Sequence, residues 1–291
     1  MRRQFKTTVT ELASIDNRVV VILGDISHFL FRDFQQKFPD RFYNMGICEN
    51  TIVSAAAGMS ACGLIPFVHT ISPFITERSL EQIKLDFAYN RFGGNIVSTG
   101  ASFDYAWDGA THHCYTDIAL LRLIPGMEVM QPGNAFELDR LIRHCYANGR
   151  PSYFRMSDHS HNLNLSVEFG KGVIVANKNA RLTVVTAGPI LAEVYEACND
   201  LGVNLLYFST IKPFDKDLVS YFAATEILVV EDAFGLFHAV AEIPGLHISR
   251  HGIPDEFCTW YGTVRDIRAR LGLDAAGIRE VVRRKIEKNV L

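Results

Sequence analysis

Glu49 opens a stretch rich in small residues, ENTIVSAAAGMSACG, that has helical periodicity. The small side chains would let this helix pack very closely against another helix or a subunit. Glu49 in the first turn would then point toward that crowded surface. A first-turn carboxylate also interacts favourably with the helix dipole, and the residues alone favour this structural role over a catalytic one.

A second candidate is the run from Asp108 to His113 (DGATHH), which follows the predicted strand Asn95–Gly100. Polar residues on a glycine-containing loop at the carboxyl end of a strand are where α/β enzymes place ligand contacts. His112 has a side chain suited to proton transfer near neutral pH. An Asx-type turn leading into a helix capped by Thr111 or Thr116 explains the run equally well.

Phe74 and Arg155 are two further candidates. Phe74 lies in SPFITER, ahead of a predicted helix, and core packing is the usual fate of such an aromatic residue. Arg155 ends a predicted strand and could bind an anion or only pair with a local carboxylate such as Asp158. The sequence contains no Walker A, GxGxxG, HExxH or GxSxG pattern, so the corresponding enzyme classes lose support.

Composition excludes several further classes. Of 291 residues, 48% are hydrophobic and 21% charged, and 29 Lys and Arg against 32 Asp and Glu leave no basic footprint for nucleic acid. The sequence has no apolar run long enough to span a membrane and no secretory h-region near its start. Its six cysteines are scattered without a CxxC pair, so we expect a globular cytoplasmic protein with reduced thiols.

Strands and helices alternate along the chain, which predicts an α/β fold with parallel sheets covered on both faces. The predicted strands are Arg18–Gly24, Ile65–Thr70, Asn95–Gly100, Met127–Met130, Ser152–Met156, Leu182–Gly188, Asn204–Ser209, Glu226–Glu231 and Leu246–Ser249. The predicted helices include Asn50–Ala61, Glu77–Tyr89, Ala135–Ala147, Ile190–Asp200 and Ala275–Lys288. The polar stretch SDHSHNLNLSVEFGK interrupts the alternation, so we expect two doubly wound domains, 1–157 and 170–291, joined by a linker at 158–169.

Taken in order, these motifs resemble the C-terminal half of transketolase, especially the split form in which that half is a separate chain. The matching stretches are RFYNMGICENTIVSAAAGMSACGLIPFVHT, FITERSLEQIK, DGATHHCYTDIALLRLIPGMEVMQPGNAFEL and RPSYFRMS, followed by GKGVIV, LTVVTAGPIL and TIKPFDKDLV. The resemblance covers nearly the whole chain. It implies a pyrimidine-binding domain for thiamine diphosphate, followed by the family's C-terminal domain.

The resemblance assigns three residues to the cofactor. Glu49 matches the glutamate that hydrogen-bonds N1′ of the aminopyrimidine and favours the tautomer whose exocyclic nitrogen removes the thiazolium C2 proton. Phe74 resembles the aromatic residue that stacks on the pyrimidine ring. Arg78, in FITERSLEQIK, is expected to belong to the same cofactor-binding group.

The resemblance assigns three further residues to the substrate. Asp108 and His112 resemble the pair that faces the hydroxyls of the donor ketose and the two-carbon intermediate, which makes His112 a catalytic candidate alongside Glu49. Arg155 matches the arginine that holds the phosphate of the acceptor.

One departure from the family pattern predicts a partner subunit. The family holds its diphosphate through Gly-Asp-Gly, followed further on by Asn, and a divalent metal bridges the phosphates. The chain has no GDG, since Gly24-Asp25-Ile26 lacks the second glycine. We therefore assign no metal ligand to this chain. We expect an N-terminal transketolase subunit to hold Mg²⁺ or another divalent ion, in an α2β2 heterotetramer.

Two other departures concern the substrate and the second domain. The histidine that the family places eight residues before the aspartate is Gly100 here, and Ser102–Trp107 is bulkier and more aromatic than the usual glycine-rich loop. A standard phosphosugar is therefore in question, and a modified sugar with another anionic or apolar end is an alternative. In the second domain, Ala233-Phe234-Gly235 replaces a pair of glycines.

The leading hypothesis is a transferase that moves a two-carbon ketol unit from a ketose to an aldose. One alternative is the β subunit of a 2-oxoacid-using enzyme, of the E1 or deoxyxylulose phosphate synthase type, although the run from Asp108 to His112 favours the transketolase side over the E1 β chain. Another is a non-catalytic regulatory or scaffold subunit, against which the retention of Glu49 argues.

Overall fold

The computed structural model describes residues 1–288, which form two mostly parallel β-sheets with helices packed on their faces. In chain order the first six strands are β1 (Val19–Leu23), β2 (Phe42–Asn44), β3 (Ile65–Ile71), β4 (Gly94–Thr99), β5 (Glu128–Met130) and β6 (Pro151–Arg155). The other six are β7 (Gly172–Ala176), β8 (Leu182–Ala187), β9 (Asn204–Phe208), β10 (Thr210–Lys212), β11 (Glu226–Glu231) and β12 (His247–Gly252). The predicted α/β fold class is confirmed.

The helices alternate with these strands. The first seven are α1 (Arg2–Ile15), α2 (Arg32–Lys37), α3 (Glu49–Ala61), α4 (Ser72–Thr76), α5 (Leu80–Gln82), α6 (Asp117–Arg122) and α7 (Ala135–Cys145). The rest are α8 (Leu191–Cys198), α9 (Lys216–Tyr221), α10 (Leu236–Ala241), α11 (Val264–Leu271) and α12 (Ala275–Lys288). Short 3₁₀ helices lie at Pro39–Arg41, Ala106–Thr111 and Gly188–Ile190. None of the helices within residues 1–288 has the length and apolar character of a membrane span.

The first sheet takes one strand from the second half of the chain. Its order is β10-β5-β6-β4-β3-β1-β2, and all its neighbours are parallel except β10, which runs antiparallel to β5. The second sheet has the order β12-β11-β8-β9-β7, with only β7 antiparallel among its described strands. The boundary between domains 1–157 and 170–291 remains a prediction, but the pairing of β10 with β5 shows that the two halves share one sheet edge.

Burial explains why the central strands could be found from their composition. Every residue of β1 is buried, because helices cover both faces of the parallel sheet. On one face, α1 packs through Phe5, Val9 and Leu12 against the sheet and α7. On the other, Ile52 and Val53 of α3 join a core that extends to the second half of the chain. These packed layers fix the strand ends from which the loops of interest emerge.

The structure corrects one predicted helix and adds short elements that the sequence did not reveal. The stretch predicted as a single helix over Glu77–Tyr89 consists of α5 and then a π-helical segment, Ile83–Tyr89, in which each hydrogen bond spans one residue more than in an α-helix. Strands β2, β7 and β10 were not predicted. The segment 157–171 contains no helix or strand.

Candidate functional site

Glu49 begins α3, the helix that follows the carboxyl end of β2. Its side chain is only 1% exposed, and Oε2 accepts a hydrogen bond of 2.7 Å from Nη1 of Arg78. Its other oxygen, Oε1, is buried and has no hydrogen-bond partner among the described residues. A buried carboxyl oxygen without a partner is costly in free energy, so this atom marks a place where an external polar group is expected.

Phe74 and Arg78 lie beside Glu49 because α4 follows the carboxyl end of β3. The guanidinium of Arg78 lies over the Phe74 ring, 4.5 Å from its centroid, while the same group donates to Glu49. Asn50 donates to the carbonyl of Arg78 at 3.0 Å, which ties this turn to the start of α3. The side chain of Phe74 is half-buried, so part of it remains exposed.

His112 joins this group from the loop that follows β4. Its ring meets the Phe74 ring edge to face, with centroids 5.2 Å apart, and its Nδ1 lies 2.9 Å from Oγ1 of Thr111. Asp108 lies on the 3₁₀ helix just before it and is exposed. The structure therefore links Glu49, Arg78, Phe74 and His112 through successive contacts, and Asp108 shares the loop of His112.

Arg155, at the end of β6, does not join the group. It is 1% exposed and donates through Nε to Asp117, at 2.8 Å, and through Nη2 to Ser102 Oγ and the carbonyl of Cys114, both at 2.9 Å. Burial disfavours the charged guanidinium, but the combined attraction of nearby acidic groups, chiefly Asp117 and Asp232, outweighs it and raises the pKa of Arg155 above its usual value.

Arg155 does pair with a carboxylate, as the alternative interpretation expected, but that carboxylate is Asp117. Asp158, the example given, pairs instead with Arg2 at 3.3 Å. Ser102 and Cys114 also pair with each other as an isolated β-bridge. Arg155 therefore closes the base of the loop that carries Asp108 and His112. The role of Arg155 in holding a phosphate remains a prediction.

Tyr105 fills the space beside Gly100. A Cβ built on Gly100 would lie 2.4 Å from the Tyr105 ring, and the backbone there has a φ of +84°. The ring of Tyr105 also approaches His112, with centroids 6.3 Å apart. The sequence marked Ser102–Trp107 as unusually aromatic, but only the structure shows that one of its rings occupies the place of a side chain at position 100.

Tyr261 reaches the same loop from the second half of the chain. A Cβ on Gly109 would meet the Tyr261 ring at 2.6 Å, and the φ of +75° at Gly109 also favours glycine. Tyr261 and Asp117 are the two residues near the site that sequence reasoning missed. No motif marks Tyr261, whereas Asp117 lies inside a quoted motif, and its role depends on a neighbour 38 positions away.

Asp104 anchors the first part of this loop. It is 4% exposed, its Oδ2 accepts from the backbone N–H groups of Ala101 and Asp158, and its Oδ1 accepts from Ser157. Burial raises the pKa of Asp104 to about 7, and these hydrogen bonds oppose the shift. Within residues 1–288 no group of three or more His, Cys, Asp or Glu side chains is arranged to hold a metal ion.

All these loops emerge from the carboxyl ends of parallel strands, which is the edge of the sheet where α/β proteins generally bind their ligands. Residues 1–162 match the family model described as transketolase, pyrimidine binding domain. Together with the relatives below, this match shows that the chain belongs to the transketolase family, as its resemblance predicted.

Several relatives match the chain over nearly its whole length, and two of them illustrate the likeness. It is 30% identical to a putative transketolase C-terminal section of Methanocaldococcus jannaschii, over 99% of this chain and 96% of that protein. It is 32% identical to a subunit of the apulose-4-phosphate transketolase of Phocaeicola vulgatus, over 95% and 94%. A solved structure described as a split-gene transketolase in an inactive β4 tetramer has a TM-score of 0.86 at 26% identity, covering 98% of this chain and 97% of that one.

Proposed function

We propose that this chain is the C-terminal subunit of a split transketolase-type enzyme that moves a two-carbon ketol unit from a ketose to an aldose. It would work with thiamine diphosphate, and only together with a partner subunit that carries the diphosphate- and metal-binding half. We place the complex in the cytoplasm, which fits six cysteines that are all unpaired.

The observation that carries this proposal is the unpartnered Oε1 of Glu49. The Glu49 carboxyl group is buried, and Arg78 fixes one of its oxygens while the other has no partner among the described residues. The free oxygen is therefore suited to a hydrogen bond with a ring nitrogen. The half-buried Phe74 beside it offers a flat surface for a heteroaromatic ring. The residues present therefore fit the aminopyrimidine of thiamine diphosphate, with Glu49, Phe74 and Arg78 as its contacts.

When bound, thiamine diphosphate supplies the carbon nucleophile that cleaves the donor ketose and carries its two-carbon fragment. Within this chain, Glu49 holds a proton at the ring nitrogen, and Arg78 keeps the Glu49 carboxyl from rotating away. His112, which contacts Phe74, is positioned to exchange protons with a substrate hydroxyl. Asp108, exposed on the same loop, accepts hydrogen bonds from donor hydroxyls.

A partner is required because the chain lacks Gly-Asp-Gly. Its relatives include a protein named as a C-terminal section and another named as one subunit of a transketolase, which supports a divided enzyme. We assign Mg²⁺ or another divalent ion mainly to the N-terminal transketolase subunit, and we expect an α2β2 heterotetramer. Size-exclusion chromatography with light scattering on the mixed subunits tests this stoichiometry.

The direct test is ketol transfer by the mixed subunits with thiamine diphosphate, Mg²⁺ and paired ketoses and aldoses. Glu49→Gln replaces the carboxyl group with an amide of the same shape that cannot exchange a proton with the ring nitrogen. We therefore expect turnover to fall about 100-fold or more while calorimetry still detects cofactor binding. Glu280→Gln is the matched control, since that glutamate is 63% exposed on α12. Full activity of Glu49→Gln, or decarboxylation of a 2-oxoacid in place of ketol transfer, would contradict the proposal.

A further inference from the structure

Arg78 lies in the space that the aminopyrimidine of the proposed cofactor needs. Its guanidinium contacts two side chains at once. Nη1 is 2.7 Å from Oε2 of Glu49, and the guanidinium carbon is 4.5 Å from the centroid of the Phe74 ring. Resting on the proposed function, we infer that Arg78 competes with thiamine diphosphate for this space and that its guanidinium must move before the cofactor binds.

The competition follows from the position of the guanidinium between Glu49 and Phe74. A ring that stacks on Phe74 and also bonds Glu49 has to lie between these two side chains. Paired aromatic rings have their centroids about 4.5–7 Å apart, and the guanidinium carbon is already 4.5 Å from the Phe74 centroid. Because the same guanidinium bonds Glu49, the face of Phe74 that it covers is the one directed toward Glu49. The guanidinium and the aminopyrimidine therefore exclude each other.

The side chain of Arg78 can leave this position, whereas its backbone is fixed. The side chain is 46% exposed, and within residues 1–288 its guanidinium donates one hydrogen bond, through Nη1. The backbone is held at both of its polar groups. Asn50 donates to the carbonyl of Arg78 at 3.0 Å, and the N–H of Arg78 donates to the carbonyl of Pro73 at 3.3 Å. A rotation of the side chain alone is therefore enough to uncover Phe74.

Two attractions hold the guanidinium over Phe74 until the cofactor binds. Glu49 is only 1% exposed, and a buried carboxylate without a positive partner is strongly unfavourable. The ring of Phe74 adds a cation–π attraction to this ion pair. Only the fraction of molecules in which Arg78 has moved aside is then able to bind, and that fraction lowers both the rate of association and the apparent affinity.

The test measures cofactor binding to the mixed subunits by surface plasmon resonance, with thiamine diphosphate and Mg²⁺ as the probe. We expect Arg78→Ala to raise the association rate constant about fivefold or more, because the face of Phe74 is then always open. The dissociation rate constant should not fall, because Arg78 remains a contact of the bound cofactor in the proposed complex. The control Arg284→Ala, on an arginine 63% exposed in α12, should change neither constant.

A second variant is needed because Arg78→Ala leaves the buried Glu49 without a positive partner. Arg78→Lys keeps a positive charge beside Glu49 but has no planar group to cover the ring. We expect it to raise the association rate constant in the same direction by a smaller factor, about twofold or more. Circular dichroism checks that both variants are folded.

Two results would overturn the inference. One is an association rate constant that neither variant raises, even if dissociation becomes faster, because Arg78 would then be only a contact of the bound cofactor. The other is mixed subunits that bind no thiamine diphosphate. These rate constants need no turnover, so a complex that shows them but transfers no ketol unit would contradict the proposed function alone.

Discussion

The buried ion pair between Asp117 and Arg155 gives the sharpest stability prediction. Asp117 is fully buried and Arg155 is 1% exposed; Asp117 Oδ2 accepts from Arg155 Nε at 2.8 Å and from the Tyr153 hydroxyl at 2.6 Å. Asp117→Asn keeps an acceptor oxygen of the same shape but removes the compensating charge. The guanidinium is then left charged, because an arginine side chain keeps its proton in proteins.

The expected cost follows from this geometry. Removing one member of a buried pair costs about 3–5 kcal/mol, and we expect the lower end, about 3 kcal/mol, because the asparagine still accepts hydrogen bonds. Arg155→Met leaves the Asp117 carboxylate buried without its positive partner and should cost a similar amount. The double variant should lose less than the sum of the two single losses, since neither charge is then uncompensated.

Urea unfolding followed by circular dichroism measures these losses, using the first transition if the two sheets unfold separately. Glu280→Gln is the control, because it breaks an ion pair between two side chains that are each 63% exposed, which is worth about 0.3–0.5 kcal/mol. A loss for Asp117→Asn below about 1 kcal/mol, or simple additivity in the double variant, would refute the reasoning.

Three further predictions concern single positions. Gly100→Ala should destabilise the protein by about 2 kcal/mol or more in urea unfolding, because its Cβ meets the Tyr105 ring and φ is +84°. Adding Tyr105→Ala to this variant should relieve the clash with the ring but not the strain of the positive φ. Burial lowers the pKa of His69 to about 4, so the folded state excludes a proton that the unfolded state binds. Stability should therefore fall by up to roughly 3 kcal/mol as pH drops from about 6.5 toward 4, and NMR should show a neutral imidazole above about pH 5. Burial raises the pKa of Asp104 to about 7, so stability should fall as pH rises from about 4 through 7, and Asp104→Asn should be more stable than the parent at pH 8 but not at pH 5.

The central strands could be predicted from sequence because parallel strands covered on both faces consist almost wholly of apolar residues. The predicted strand Glu226–Glu231 has the bounds of β11, and the predicted Leu182–Gly188 differs from β8 by one residue. Strand β10 could not be predicted in the same way. It has three residues, and its pairing with β5 joins positions about 80 apart in the chain, for which local composition carries no signal.

In the candidate site, too, local sequence predicts some features, whereas others depend on contacts between distant parts of the chain. Composition and spacing gave Glu49 and His112 only competing interpretations, and the family motifs were needed to choose between them. The contacts that connect Glu49 through Arg78 and Phe74 to His112 depend on where three different strands end. Arg155 shows the limit of motif matching. A motif reports that an arginine is present at the end of β6, but not that Asp117 already neutralises it.

The second half of the chain takes part in shaping the site, although the family model ends at residue 162. Ser102 accepts from Arg155 and donates its own hydroxyl proton to the carbonyl of Asp232 at 2.7 Å. The N–H of Phe234 donates to the carbonyl of Tyr115 at 2.7 Å, so both ends of the loop are held against the second half of the chain. Because Tyr261 also packs on this loop, residues beyond the family match help to shape the candidate site.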